Sequence, residues 1–142
     1  MSEGQPEGAV LTVAVLKVVV ESDVAHARRL AFDLASRIGF GRPAVHRLAT
    51  AVSELGNNLV FHTTSGGQVS LNPLHRGGRW GIELVVEDAG PGIADLALAM
   101  TDGYSTNRGL GGGLPGSRRL MDEFEIESAP GRGTRVVARL WR

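Results

Sequence analysis

The sequence predicts a single α+β domain, a two-layer sandwich in which helices cover one face of a mixed, mostly antiparallel sheet. Three observations support this fold class. The 142 residues suit one domain. The composition, 42% hydrophobic and 21% charged, is that of an ordinary globular protein. Segments with helical spacing of apolar residues are separated from segments that alternate like strands, and most of those strands come as adjacent pairs.

The first half of the chain predicts one strand and two helices. The Val- and Leu-rich run 10–20 is a strand, because branched side chains favour extended backbone. Ser22 is expected to cap the first helix, which Gly39 ends. Pro43 suits the first turn of a second helix, which runs to about His62. Apolar residues recur along this second helix every three or four positions, at Val45, Leu48, Val52, Leu55 and Leu59.

The second half predicts two strand pairs with helices between them. The first pair, 68–74 with 80–87, turns at Gly77-Gly78. The segment between the pairs predicts a short helix, a mobile loop rich in Gly, Ser, Thr and Asn, and a second helix, at 93–100, 101–113 and 114–121. The last pair consists of strands at 124–128 and 134–141.

Charge and composition exclude several classes of function. Fifteen Lys and Arg residues balance fifteen Asp and Glu residues, which argues against a broad basic face for nucleic acid. There is no cysteine, so disulfides and a thiol nucleophile are excluded. The longest apolar run is about half of the ~20 residues that a membrane span needs, which favours a cytoplasmic protein. Residues 1–8, acidic and Gly-rich, are expected to be a disordered tail before a single domain at 9–142.

Two acidic motifs are candidates for chemistry. Glu54 and Asn58 lie four apart on one flank of the second predicted helix, where a carboxylate and an amide oxygen suit a proton acceptor and a hydrated Mg²⁺. The alternative is a solvated helix face. Asp88 follows a strand and precedes Gly90 and Gly92, so its carboxylate can face a pocket whose backbone passes close to a ligand. The alternative is a tight turn that Asp88 caps.

Two glycine-bearing motifs follow. The run Gly109, Leu110, Gly111, Gly112, Gly113 and Leu114 opens a helix. Backbone N–H groups without side chains at a helix N-terminus form an anion site suited to phosphates. A flexible linker is the alternative, and a dinucleotide-binding fold is disfavoured because a polar loop, not a strand, precedes the run. Thr134 follows Gly133 at the start of the last strand, where its hydroxyl can bond a base or a water, or simply belong to a hairpin turn.

Taken in order, the four motifs resemble the GHKL ATPase superfamily with its Bergerat nucleotide-binding fold. The segments Ala51-Val-Ser-Glu-Leu55, Asp102-Gly-Tyr-Ser-Thr106 and Arg119-Leu-Met-Asp-Glu-Phe124 are similar to the RsbT-type switch serine kinases of bacterial stress signalling. The resemblance covers about residues 10–142.

The resemblance implies a role for each matched position. Asp88 would accept from the adenine amino group of ATP, and Thr134 would support the same end of the base through water. Asn58 would hold Mg²⁺, and Glu54 would be the general base. The glycines of the run 109–113 would wrap the phosphates as part of a lid, where Arg108 either contacts the γ-phosphate or is solvated.

The resemblance also implies partners. Substrates of this family are STAS-domain proteins phosphorylated on Ser or Thr, and the freed kinase can activate a PP2C-type phosphatase. Two alternatives stay open: an anti-sigma factor that sequesters a sigma factor, and a nucleotide-binding scaffold without catalysis. Retention of both Glu54 and Asn58 speaks against the scaffold.

Overall fold

The computed structural model describes residues 14–63, 65–90 and 113–142. In chain order the elements are β1 (Ala14–Val18), α1 (Glu21–Ile38), α2 (Arg42–His62), β2 (Gly67–Arg76), β3 (Arg79–Asp88), α3 (Gly113–Leu120), β4 (Glu123–Ser128) and β5 (Thr134–Trp141). The predicted helices and strand pairs are confirmed in these ranges. The predicted tail at 1–8, the helix at 93–100 and all but the last residue of the loop at 101–113 lie outside the described residues. None of the three described helices has the length and hydrophobicity of a membrane span.

The sheet has the order β1-β2-β3-β5-β4, and every pairing within the described residues is antiparallel. The hairpin between β2 and β3 turns at Gly77 and Gly78, whose φ angles of 58° and 78° are those of a type I′ turn. This turn places Arg76 opposite Arg79 and so sets the register of the whole hairpin. The register aligns Leu71 with Leu84, and both are buried on the face that the helices cover.

The three helices of the described ranges lie on this face of the sheet, with α2 between α1 and α3. Gly56 allows α1 and α2 to approach closely, because a Cβ added there would lie 3.1 Å from Cγ1 of Val24. The apolar stripe predicted for α2 is the centre of the core. Its five residues are all 3% exposed or less: Val45, Leu48, Val52, Leu55 and Leu59.

The opposite face of the sheet, called here the outer face, carries ion pairs. Arg139 Nε lies 3.0 Å from Glu83 Oε2, and its Nη1 lies 3.0 Å from Glu123 Oε1. The hydrogen bond that the Trp141 indole N–H donates to Glu123, with the help of Arg139, lowers the pKa of that carboxyl. The outward positions of the edge strand β4 are three glutamates: Glu123, Glu125 and Glu127.

The start of α1 differs from the prediction. The N-cap is Val20, and Ser22 lies inside the helix, so the prediction of a Ser22 cap was wrong. Asp23 satisfies the free backbone donors instead, because its Oδ2 accepts from the N–H groups of Val19 at 2.9 Å and Val20 at 3.1 Å. These two hydrogen bonds lower the pKa of the Asp23 carboxyl below its usual 3.8.

We therefore expect Asp23→Asn to destabilise the domain at neutral pH, while Ser22→Ala leaves its stability unchanged. A carboxyl whose pKa is lowered by folding stabilises the folded state above its unfolded pKa and loses this effect as the pH falls through the folded value. The deficit of Asp23→Asn should therefore shrink as the pH falls below 3.8. Urea unfolding of both variants at a series of pH values measures this, and an equal loss from Ser22→Ala would contradict the assignment of the cap.

Candidate functional site

Three polar side chains lie in one row where β3, β5 and β4 meet. Asp88 ends β3 and is opposite Thr134, the first residue of β5. Thr134 is in turn opposite Ser128, the last residue of β4. Because side chains alternate along a strand, this row shares the helix-covered face with the buried Val86 and Val136, two positions inward. We call Asp88, Ser128, Gly133 and Thr134 the strand-end cluster.

Hydrogen bonds fix the side chains of this cluster. The Ser128 hydroxyl donates to the Gly133 carbonyl at 2.9 Å, and its oxygen lies 2.8 Å from Oγ1 of Thr134. Oδ1 of Asp88 accepts the N–H of Gly90 at 2.7 Å. The turn that was the alternative for Asp88 is therefore present, but it engages one carboxylate oxygen. Oδ2 of Asp88 has no hydrogen-bond partner among the described residues, so it is available to a ligand.

Gly133 allows the backbone just before β5 to approach the end of β3 closely. A Cβ at this position would lie 2.1 Å from the carbonyl oxygen of Asp88 and 2.9 Å from Cα of Ala89. Its φ of 76° is also in the left-handed region. The glycine before Thr134 is thus required by a close backbone approach, which a hairpin turn alone does not need.

The end of α2 lies against the strand-end cluster. A Cβ on Gly67 would meet Cδ2 of Leu59 at 2.8 Å and Cβ of Asp88 at 3.1 Å, so these three residues are adjacent. A Cβ on Gly90 would likewise meet Thr63 at 3.2 Å, just after the last helical residue. Asn58 immediately precedes Leu59, which places the predicted Mg²⁺ ligand within the same end of the helix.

Glu54 and Asn58 share one flank of α2. Gly56 lies midway between them and faces Val24 of α1, and at 100° per residue both side chains lie about 160° around the helix from Gly56. That flank is the one next to α3, since α2 packs between α1 and α3. Both side chains are half-buried, and neither makes a side-chain hydrogen bond within the described residues. The fully solvated face that was the alternative is not what the structure shows.

The glycine-rich run is described only at its end. Gly113 begins α3, and Leu114 packs against the core in its first turn. Pro115 and Ser117 are buried, so the start of the helix is fixed by packing on α2. The remaining predicted residues lie outside the described part of the chain: Gly92, Gly109, Leu110, Gly111, Gly112 and the lid residue Arg108.

No group of three or more His, Cys, Asp or Glu side chains that could enclose a metal occurs among residues 14–63, 65–90 and 113–142. This arrangement does not conflict with Mg²⁺, which keeps several waters and uses one or two protein oxygens together with phosphate oxygens. The half-buried amide oxygen of Asn58 is a ligand of that kind. The site residues therefore fit Mg²⁺ delivered with a phosphate ligand better than a metal held by the protein alone.

Comparison with known proteins identifies the family. The model of the histidine kinase-like ATPase domain matches residues 20–140. The chain belongs to this family. Its predicted resemblance to the GHKL ATPases is thereby confirmed. A likeness in fold agrees: the RsbU and RsbW domains of a Mycobacterium tuberculosis protein superpose with a TM-score of 0.59 at 17% identity, covering 94% of this chain and 33% of that one.

The relatives in sequence are of two kinds, a serine/threonine-protein kinase and anti-sigma F factors. The chain is 40% identical over 126 residues to the serine/threonine-protein kinase RsbT of Bacillus subtilis, covering 89% of this chain and 94% of that protein. It is 33% identical over 102 residues to the anti-sigma F factor of Thermoanaerobacter sp. (strain X514), covering 66% of this chain and 70% of that protein. The ATPase domain of this family is therefore shared with both a kinase and an anti-sigma factor.

Replacement of Gly133 tests the close approach of β3 and β5. We expect Gly133→Ala to lower the free energy of unfolding by about 3 kcal/mol or more, because the new methyl group overlaps the Asp88 carbonyl. Gly131→Ala is the matched control: its φ is also 76°, but nothing lies within 4 Å of its Cβ position. That control should cost about 1 kcal/mol for the left-handed backbone alone. If urea unfolding showed the same loss of free energy of unfolding in both variants, the close approach of β3 and β5 would not contribute to stability.

Proposed function

We propose that this chain is a cytoplasmic, ATP-dependent serine/threonine protein kinase of the switch-kinase type. It would transfer the γ-phosphoryl group of ATP to a Ser or Thr of a STAS-domain partner. The observation that carries the proposal is the position of α2, whose end packs on the strand-end cluster while Glu54 and Asn58 face α3. The 40% identity to the kinase RsbT over nearly the whole chain supports it.

The strand-end cluster would bind the base. Oδ2 of Asp88, which has no partner among the described residues, would accept a hydrogen bond from the adenine amino group. Thr134, at the start of β5, lies directly opposite Asp88 and would bond the same end of the base through water. Gly90 and Gly92 would let the backbone pass close to the ring.

The phosphates would then extend along α2 toward Glu54. The helix rise of 1.5 Å per residue places Asn58 and Glu54 about 6 Å apart along the axis. Asn58 would hold Mg²⁺, which when bound neutralises the charge of the phosphates. The run Gly109, Leu110, Gly111, Gly112, Gly113 and Leu114 would supply backbone N–H donors to the phosphate oxygens at the start of α3.

Glu54 would act as the general base. Its carboxylate would take the proton from the Ser or Thr hydroxyl as that oxygen attacks the γ-phosphorus, and ADP would leave. Phosphoryl transfer depends mainly on positioning and charge neutralisation. The remaining requirement is a group that accepts the hydroxyl proton, and the half-buried carboxylate of Glu54 lies beside the Mg²⁺ ligand to do so.

Partners follow from the same proposal. After phosphorylation of its STAS partner, the released chain would activate a PP2C-type phosphatase. The second candidate is an anti-sigma factor that sequesters a sigma factor under the control of ATP, which the 33% identity to an anti-sigma F factor supports. The kinase is favoured because its relative is more similar and matches a larger share of the chain, 89% against 66%.

We expect Glu54→Gln to slow phosphate transfer to a STAS-domain substrate by about 10²- to 10⁴-fold, the usual contribution of a general base. Binding of Mg-ATP should stay within about twofold, because glutamine keeps the size and polarity of the side chain. Glu125→Gln is the matched control, since it makes the same change on the outer face of β4, away from α2 and the strand-end cluster. Transfer at the wild-type rate by Glu54→Gln, measured with radiolabelled ATP, would refute the assignment of Glu54. ATP binding without transfer, with tight binding of a sigma factor, would favour the second candidate.

We expect Asp88→Asn to weaken ATP binding by at least about tenfold, because a charged acceptor for the amino group is lost. The amide oxygen of asparagine can still accept the N–H of Gly90, so the turn and the melting temperature should persist. Glu87→Gln, one residue earlier and on the outer face, is the control. Calorimetric titration with Mg-ATP measures the effect, and wild-type affinity in Asp88→Asn would refute adenine recognition by this carboxylate.

A further inference from the structure

Arg47 belongs to none of the predicted motifs, yet it lies in line with Glu54 and Asn58 on α2. It precedes Glu54 by seven residues and Asn58 by eleven. With a rotation of about 100° per residue, both intervals return to the same side of the helix to within about 20°. Asn58, Glu54 and Arg47 therefore follow one another along the flank of α2 that is next to α3, and Arg47 is the farthest from the strand-end cluster.

This flank is open to solvent at its Arg47 end. Asn58 and Glu54 are half-buried, whereas Arg47 is exposed. The guanidinium of Arg47 has no ion-pair or hydrogen-bond partner within the described ranges. In the part of the chain that the structure describes, a large substrate therefore reaches the Glu54 carboxylate most easily from the Arg47 side.

The two helices that border this flank are basic, although the net charge of the whole chain is zero. Glu54 is the only acidic residue of α2 and α3. Against it stand four arginines, which are Arg42, Arg47, Arg118 and Arg119. Opposite charges across an interface favour the correct partner and speed its association. This side of the molecule is therefore complementary to an acidic partner surface.

Arg47 is too far along the helix to serve the nucleotide. A rise of about 1.5 Å per residue puts its Cα about 10 Å from that of Glu54 and about 16 Å from that of Asn58 along the axis. Helical side chains also point back toward the N-terminus of their helix, so the guanidinium extends away from both residues. A ligand of Arg47 therefore lies beyond Glu54, on the side from which the substrate hydroxyl arrives.

We propose that Arg47 is a docking residue for the protein substrate, and that its guanidinium binds an Asp or Glu carboxylate close in space to the Ser or Thr that receives the phosphoryl group. This inference rests on the proposed kinase activity and adds an acidic surface to the description of the substrate. The planar guanidinium matches a carboxylate well, since two parallel N–H groups can donate to its two oxygens. Such an ion pair strengthens binding of the substrate protein without touching the reacting atoms, so its loss should raise KM and leave kcat unchanged.

The test measures transfer of radiolabelled phosphate from ATP to a STAS-domain substrate by the full chain at low salt. We expect Arg47→Glu to raise the KM for the protein substrate by about three- to tenfold, while kcat and the KM for ATP stay within about twofold. The rise should shrink at about 0.5 M NaCl, because salt screens exposed charges. Arg42→Glu is the matched control: it makes the same change on α2, about 140° around the helix from Arg47, and should leave all three constants within about twofold.

A charge-reversed substrate adds a second readout. Lysine in place of the acidic residues around the acceptor should raise the KM of the wild-type chain and restore a low KM with Arg47→Glu. An unchanged KM in Arg47→Glu would overturn the proposal, as would a rise in KM that the lysine substrate does not reverse or a loss of activity confined to kcat or to ATP binding. If the wild-type chain transfers no phosphate, the proposed function fails and the docking role with it, whereas transfer that depends on Glu54 but not on Arg47 refutes only the docking role.

Discussion

The antiparallel register between β3 and β5 is the constraint on which the rest of the structure depends. It pairs Val86 with Val136 in the core and Asp88 with Thr134 one row further along the same face. A slip by one residue would turn Asp88 to the outer face and bring Glu87 into the apolar layer, where a carboxylate is costly to bury. The polar row is therefore kept in place by the burial of its apolar neighbours. A change of register that disrupted the core would also separate Asp88 from Thr134.

Much of the fold could be predicted because its signals are local. The spacing of α2 follows from the helical period, and the Gly77-Gly78 turn sets the β2–β3 hairpin by its own backbone preference. The start of α1 could not be placed in this way. Ser22 and Asp23 are both good capping residues, and which one acts depends on where the backbone leaves β1. In the fold β1 ends at Val18 and Val20 is the N-cap of α1, so Asp23 reaches the N–H groups of Val19 and Val20.

In the candidate site, too, local features could be predicted from the sequence and long-range contacts could not. Glu54 and Asn58 could be paired from the sequence, since residues four apart on a helix share a flank. Asp88 and Thr134 could each be suspected, but their adjacency depends on a strand pairing that joins distant parts of the chain. Ser128 was missed because its partners are defined only once β4 pairs with β5. The available signal was a serine at the end of a strand, just before a tight turn ending in Gly-Thr.

The three glutamates on the outer side of β4 also bear on how the protein behaves at high concentration. Among the described strands, β4 lies at the edge of the sheet, and a free strand edge is a template for the addition of another chain. If two copies joined through this edge in antiparallel fashion, Glu123, Glu125 and Glu127 of each would face the same residues of the other. Like charges directly opposite one another destabilise such pairing. The charge pattern of β4 therefore opposes aggregation through this edge.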